Sequence, residues 1–566
     1  MRRISLGLLA CTAAAAGLLA WLSGFAHAAD SPLAGNWKLV VMAAGQEISV
    51  WIVQVEDKDG KPQVSVVAEL PNFKGTKVEN VRADDKGVHF TLQASGLDFL
   101  VDAYLPAGEK KPEKLLGSVG VRGQREFIRL ERSADKKIDP DKATTETPAL
   151  ADLRTALGAA DAKERTAALK ELMKKYPNSP AAYVAAQQLL SAAAKAESEA
   201  DAKTATEQAI KIAATYGPET QVNAALQAAR AVARSDKLTG LYVDFARQAA
   251  KALGDNDPAA VQAPVLKTLA AALKKAGKTD ELKPLQARIT KLDEQLDREF
   301  EKNAIPFKPE AFAGRQGKSD RVAVVELFTG AQCPPCVAAD VAFDALAKTY
   351  KPADVVLLQY HLHIPGPDPM TNKDSEKRSE FYTIEGTPTL FVNGKEGPAM
   401  GGGKAQAEDR YKTARKQIDA ALETNAGAKL KLTADRKGDK IDLQAEYGDL
   451  ARPGENVRLR FVVVEELVRY PGGNGQRLHH HVVRALPGGV EGVALKEKAG
   501  KHAQTVSVAE LEKELSGYLD DFTKKNNFAF DDQPLELKHL KAVALIQDNG
   551  TKEILQAVQV DLPAAK

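Results

Sequence analysis

Cysteine is scarce in this chain. Its 566 residues hold three, Cys11, Cys333 and Cys336. That leaves no second CxxC with which to complete a four-ligand structural zinc site. A net charge of one dominant sign is also missing. The formal value is +2, so nothing favours nucleic acid or an anionic membrane surface as partner. Beyond the N-terminus, no run reaches the ~18 apolar residues needed to span a bilayer. What remains is ordinary for globular protein, with 44% hydrophobic and 27% charged residues. The length suits about three to five domains.

The first 28 residues read as a targeting segment. Arg2 and Arg3 are followed by a mostly apolar stretch over 4–25 and by Ala26-His27-Ala28, a small-x-small cleavage pattern. Cleavage after Ala28 implies export to the periplasm or medium and leaves no membrane span. An uncleaved anchor is an alternative. Lipidation at Cys11 is disfavoured, since an apolar stretch would follow the lipidated residue. With Cys11 removed, the mature chain keeps only Cys333 and Cys336, in a compartment that permits disulfides. A staple across so short a loop stabilises by only ~2 kcal/mol. The pair therefore reads as chemistry rather than scaffolding.

The fold class expected is multidomain α+β. Residues 30–135 alternate apolar and polar positions in short β-rich runs and predict a β-barrel or sandwich. Their Gly35-Asn36-Trp37 opening resembles that of lipocalin-like barrels, and the resemblance implies that Arg129, near the end of the domain, covers Trp37. Residues 149–303 are rich in Ala, Leu, Lys and Glu at helical spacing. Punctuation at Tyr176-Pro177, Tyr216-Gly217-Pro218 and Leu253-Gly254 recurs about every 40 residues, the scale of a helical repeat, and the segments 174–186 and Ala276-Gly277-Lys278-Thr279-Asp280 resemble tetratricopeptide turns. Residues 304–426 follow a β-α-β-α-β-β-α order, expected to close one core by themselves. Residues 427–566 predict a separate β-sandwich with one helical insertion.

The CxxC follows a buried-looking strand at 322–328 and opens a helix. That position favours a thiolate at Cys333, the nucleophile of disulfide exchange. Cys336, one turn later, is placed to resolve the mixed disulfide. Val325-Glu326-Leu327-Phe328-Thr329 before the motif, and Ile384-Glu385-Gly386-Thr387-Pro388 after it, resemble exported bacterial thioredoxin-like proteins over about 100 residues. The resemblance implies that Pro388 is a cis-proline beside the disulfide and that Thr387 offers backbone hydrogen bonds to a bound peptide. The chain departs from the commonest thioredoxin form in having Gln332 before the first cysteine and Pro334-Pro335 between the two.

Glu326, seven residues before Cys333, reads as a proton relay to Cys336 or as an ordinary strand-end acid. His361 and His363, two apart on a strand and so on one face, read as auxiliary site residues or as structural ones. Arg378 reads as a thiolate stabiliser or as part of a solvated helix face. His479-His480-His481 reads as a polar strand near a sheet edge, with a metal reading disfavoured. No metal or cofactor beyond the Cys333–Cys336 disulfide is expected. The leading function is a thiol–disulfide oxidoreductase of reductase or isomerase type, acting on exported proteins with an unknown electron donor. The main alternative is a non-enzymatic binding or scaffold protein, and a thiol peroxidase is a third, weaker one.

Overall fold

A computed structural model describes residues 32–562, apart from 44–45, 59–60, 85, 96, 107–108, 110, 122–123, 255–256, 527, 529 and 531. The expected targeting segment, its cleavage site and Cys11 lie outside the described residues. The chain is mixed α+β and divides into two compact units between Gln295 and Leu296.

The first unit opens with eight strands: β1 (Gly35–Ala43), β2 (Gln46–Lys58), β3 (Lys61–Glu69), β4 (Lys77–Ala83), β5 (Gly87–Ala94), β6 (Leu97–Tyr104), β7 (Lys114–Val121) and β8 (Gln124–Arg132). Their order is β3-β2-β1-β8-β7-β6-β5-β4, a nearly closed barrel-like sheet whose ends, β3 and β4, share no ladder. A two-residue strand, β9 (Thr144–Thr145), adds to β2. Period-two alternation turns Trp37, Leu39, Trp51, Val53, Phe90 and Val101 into one interior core. Trp37 is indeed covered by an arginine, but by Arg132 rather than the expected Arg129. The Arg132 guanidinium lies 4.4 Å from the Trp37 ring centroid and donates to the carbonyls of Pro32, Ala34 and Pro112. Arg129 instead pairs with Glu47 and Glu131. In the β1–β8 register Trp37 faces Arg132, and Arg129 lies opposite Val40.

Helices follow: α1 (Pro148–Gly158), α2 (Ala162–Lys175), α3 (Pro180–Lys195), α4 (Glu199–Ala214), α5 (Pro218–Val232), α6 (Thr239–Lys251), α7 (Ala259–Lys275) and α8 (Leu282–Asn303), inside which the division falls. The side chains of Thr147, Asp161 and Ser179 cap α1, α2 and α3. Small residues such as Ala181, Ala185, Ala213 and Ala225 line the packed faces. Met42 and Phe127, on the outside of the barrel, enter the same helical core. Gly217, at φ +113, abuts the Tyr104 ring so closely that an added Cβ would lie 2.2 Å from it. This contact, not helix punctuation alone, requires glycine there.

The second unit contains β10 (Ala323–Thr329), α9 (Val337–Thr349), β11 (Val355–His361), α10 (Lys373–Tyr382), β12 (Thr389–Val392), β13 (Lys395–Glu396) and α11 (Ala407–Leu422). β10 pairs parallel with β11 and antiparallel with β12, and β12 pairs antiparallel with β13. This is a thioredoxin-like fold. After it come β14 (Lys429–Lys437), β15 (Lys440–Gly448), β16 (Gly454–Arg469), β17 (Leu478–Ala485), β18 (Val493–Leu495), β19 (Gly500–Ser507), α12 (Val508–Asn526), β20 (Leu540–Asp548) and β21 (Ile554–Asp561).

These last strands do not all form a sheet of their own. The order β13-β12-β10-β11-β17-β16-β20-β21 is one continuous sheet, joined where Gln359 meets Val482, while β14-β15-β19 form a separate small sheet. One face of β10 and β11 (Ala323, Val325, Leu327, Leu357) packs on α9 and α11. The other (Val324, Phe328, Val356, Leu358, Tyr360) packs on Val462, Val483, Val543, Leu545 and Ile554. The sheet curls until Gln559 Nε2 donates to Val355 O at 3.0 Å. Residues 304–426 supply the whole core between the sheet and α9 and α11, and the core on the opposite face is shared with residues of 462–557. Among the described residues, no helix is long and apolar enough to cross a membrane.

Candidate functional site

β10 is buried at every position and delivers the chain through Gly330-Ala331-Gln332 to the cysteines. Cys333 precedes a single 3₁₀ turn, Pro334–Cys336, which runs directly into α9. Both cysteines are joined in a disulfide, with Cα atoms 5.3 Å apart. They are deeply covered: Cys333 is 1% exposed and Cys336 0%, while the two prolines between them face solvent. The backbone donors of the turn are committed. Cys336 N–H donates to Cys333 O, Val337 N–H to Pro334 O and Ala338 N–H to Gly402 O.

The Thr387–Pro388 peptide is cis, as is Ile364–Pro365. Thr387 sits against the disulfide. Its hydroxyl donates to Cys333 Sγ at 3.4 Å, and its carbonyl oxygen lies 3.7 Å from the same sulfur.

Glu326 does not fit the relay role. Strand alternation puts it on the face of Val324 and Phe328, opposite the face that carries α9. There it accepts from Arg378 Nε at 2.8 Å, Arg378 Nη2 at 3.0 Å and Tyr382 OH at 2.6 Å. Glu326 and Arg378 are both fully buried, so Arg378 is neither a solvated face nor free for a thiolate. Its guanidinium also stacks on Phe381 and Tyr382.

The carboxylate on the α9 side is Asp340, four residues after Cys336 and so on the same helix face. It is buried and accepts from the Thr329 hydroxyl at 2.8 Å and from Gln359 Nε2 at 3.1 Å. It has no cationic partner among the described residues. Burial pushes its carboxyl up to about 8; Asp344 and Asp368 add to the rise, and the two hydrogen bonds oppose it. Sequence reading passed over it, because a position four residues after the second cysteine does not by itself distinguish a buried acid from a solvated one.

Polar groups continue from Asp340. Gln359 Oε1 lies 3.3 Å from His361 Nε2, and His361 Nδ1 lies 2.8 Å from Asp368 Oδ2. Asp368 accepts the Ala331 N–H at 2.6 Å, two residues before Cys333. Burial opposes ionisation of Asp368, but His361 and the N–H groups of Ala331 and Met370 outweigh it and hold the carboxyl low. His361 is thus tied to this chain of groups. His363 is not: its Nδ1 accepts the Asp368 N–H, and its ring stacks on Phe522 at 3.7 Å. Burial lowers His363 to about 4.

The histidine run is not at a sheet edge, since β17 lies between β11 and β16. His481 has φ 55, which breaks the alternation that would place it on one face with His479. His479 hydrogen-bonds to Tyr470 O and meets the His361 ring edge-on at 5.0 Å, and His480 pairs with Asp344 at 2.8 Å. Among the described residues no group of three or more His, Cys, Asp or Glu is arranged to hold a metal ion.

No family model and no curated protein matches the chain. Solved structures similar to part of it include HBP35 of Porphyromonas gingivalis, at 17% identity and a TM-score of 0.30, covering 44% of this chain and 77% of that one. A thioredoxin-like protein from Bacteroides caccae is similar at 16% identity and a TM-score of 0.12, covering 45% and 94%. Likenesses at this level carry no argument, and the fold stands on its own strand order and pairing.

Proposed function

We propose that this chain is a thiol–disulfide oxidoreductase of reductase or isomerase type, acting on exported client proteins. The observation that carries the reading is the placement of Cys333-Pro334-Pro335-Cys336 at the start of α9, against Thr387 and the cis Thr387–Pro388 peptide. In the reduced protein, the Cys333 thiolate attacks one sulfur of a client disulfide and releases the other as a client thiolate. Cys336 loses its proton, attacks Cys333 Sγ and releases the second client thiolate, leaving Cys333–Cys336 oxidised. An external dithiol then returns two electrons and two protons. Asp340 is the proton acceptor for Cys336. Its carboxyl near 8 is close to the ~8.5 of a free thiol, the match a general base needs. Thr387 and Pro388 form the client-binding edge. The tetratricopeptide-like helices of 149–303 serve as a spacer or docking surface, and 1–28 as the export signal.

Reduction of insulin by the full chain, with a dithiol as electron source, tests the reading. The expected result is turnover that Cys333→Ala abolishes. A wild-type rate no faster than the Cys333→Ala rate would remove the oxidoreductase assignment.

One observation favours the scaffold alternative: both cysteines are almost wholly covered. In that reading the thioredoxin-like fold is a binding module and the disulfide is inert.

A further inference from the structure

The segment Gly330-Ala331-Gln332, which leads into Cys333, is itself crossed by a turn. The turn joining β16 to β17, residues 471–476, reads Pro-Gly-Gly-Asn-Gly-Gln and lies across the segment that leads into Cys333. Asn474 donates its backbone N–H to Ala331 O at 3.0 Å and its side-chain Nδ2 to Gly330 O at 3.3 Å. The turn holds its own shape through Gly472 N–H to Gln476 O, Gly475 N–H to Gly472 O and Gln476 N–H to Asn474 Oδ1. Its base is held by Arg477, whose Nε donates to Asp297 at 2.8 Å.

Glycine is required at 472, against a backbone oxygen, whereas 473 meets only the movable end of a side chain. A Cβ on Gly472 would lie 2.6 Å from Ala331 O, and one on Gly473 2.1 Å from Gln332 Oε1. On its other side Gln332 is flanked by Gly366, whose added Cβ would sit 3.6 Å from the Gln332 side chain. Gln332, the residue next to Cys333, is therefore held between the cis-Pro365 loop and the β16–β17 turn.

We propose that the 471–476 turn and Gln332 form a displaceable strap that selects extended polypeptide disulfides over small thiols and small disulfides. This rests on the reading of Cys333 as nucleophile. Asn474 supplies two N–H donors to two consecutive backbone carbonyls, at the edge where an extended client chain would present its own. A client main chain can replace those hydrogen bonds as it enters, so opening the strap leaves no buried carbonyl unsatisfied. A small thiol brings no such donors and meets a sulfur that is 1% exposed.

The test follows reduction of the Cys333–Cys336 disulfide in the oxidised full chain by dithiothreitol, read by alkylation and mass. One reductant thiolate attacks Cys333 Sγ, Cys336 leaves as thiolate and takes a proton, and the second reductant thiol closes to the cyclic disulfide. Asn474→Ala should be reduced about fivefold faster than wild type, the scale of the one hydrogen bond to this segment that it removes, Nδ2 to Gly330 O, the backbone N–H to Ala331 O being retained. Gln332→Ala, which leaves the turn intact, should also be faster and stands in if Asn474→Ala fails to fold. The equilibrium with glutathione should stay unchanged in both. Wild-type rates in both variants, or a shifted equilibrium in place of a faster rate, would overturn the strap. Insulin turnover by wild type with no gain in either variant sinks the strap alone. A gain without insulin turnover in any protein keeps the cover and sinks the oxidoreductase reading.

Discussion

The Cys333–Cys336 couple should equilibrate near the reducing end of the thioredoxin range, at about −270 mV. A thiolate at a helix N-terminus is stabilised mainly by the N–H groups of the first turn. Here the first two following residues are prolines, which have none. The next three N–H groups are taken by Cys333 O, Pro334 O and Gly402 O. Arg378 is committed to Glu326 and His361 to Asp368. The donor aimed at Cys333 Sγ is the Thr387 hydroxyl, at 3.4 Å. With so little to stabilise the thiolate, the dithiol form is not favoured and the disulfide is hard to reduce. Against a strong oxidant at about −120 mV, the difference is roughly five orders of magnitude in the exchange constant. Equilibration with glutathione, read by alkylation of Cys333, checks it. A potential above about −150 mV would show that another source of positive potential dominates.

The contribution of Asp340 to stability should fall as pH rises from about 4 to about 8, so Asp340→Asn should gain on wild type over that range, while His363, His479 and His481, held neutral by burial, act the other way below about 6.5 in both proteins. The unfolded carboxyl titrates near 3.9, whereas burial holds the folded one up at about 8. Between those values the folded carboxyl keeps the extra proton, so the Asp340 contribution makes unfolding easier with each unit of pH. Below about pH 4 the group is neutral in both states and the contribution is fully present. Above about 8 it is ionised in both, and the accumulated loss levels off on the order of 5 kcal/mol. Urea unfolding of wild type and Asp340→Asn at pH 4.5 and 8.5 measures this. The variant should gain several kcal/mol relative to wild type between the two. An equal pH dependence in both proteins would mean that Asp340 ionises normally and is not a raised-pKa acid.

What was legible in the sequence was local. The strand before the CxxC, the helix after it and the Thr387-Pro388 turn follow from spacing along one stretch of chain. The cover on the second face of β10 and β11 was not legible. Alternation in 457–463 and 540–546 says that one face of each strand is buried, not which sheet receives it. The connection to β11 rests on a single parallel pair, Gln359 with Val482. Glu326 was misassigned because distance from Cys333 was counted without strand parity, and parity sends it to the Arg378 side. Asp340 is not legible as a site residue, because an acid in an Ala-rich helix usually faces water, as the sequence would equally suggest for Asp344, whereas here Thr329 and Gln359 receive it. Arg129 and Arg132 both lie in β8, and pairing register, which composition does not encode, decides which one faces Trp37.

The most direct test of the central claim is a covalent one. Reduced Cys336→Ser, mixed with insulin, lacks the resolving thiol, so attack by Cys333 should stop at a mixed disulfide. A single adduct of chain plus insulin polypeptide, released by dithiothreitol, is the predicted result, with none from Cys333→Ser. No adduct from Cys336→Ser, or equal adducts from both variants, would contradict the assignment of Cys333 as nucleophile and Cys336 as the group that resolves it.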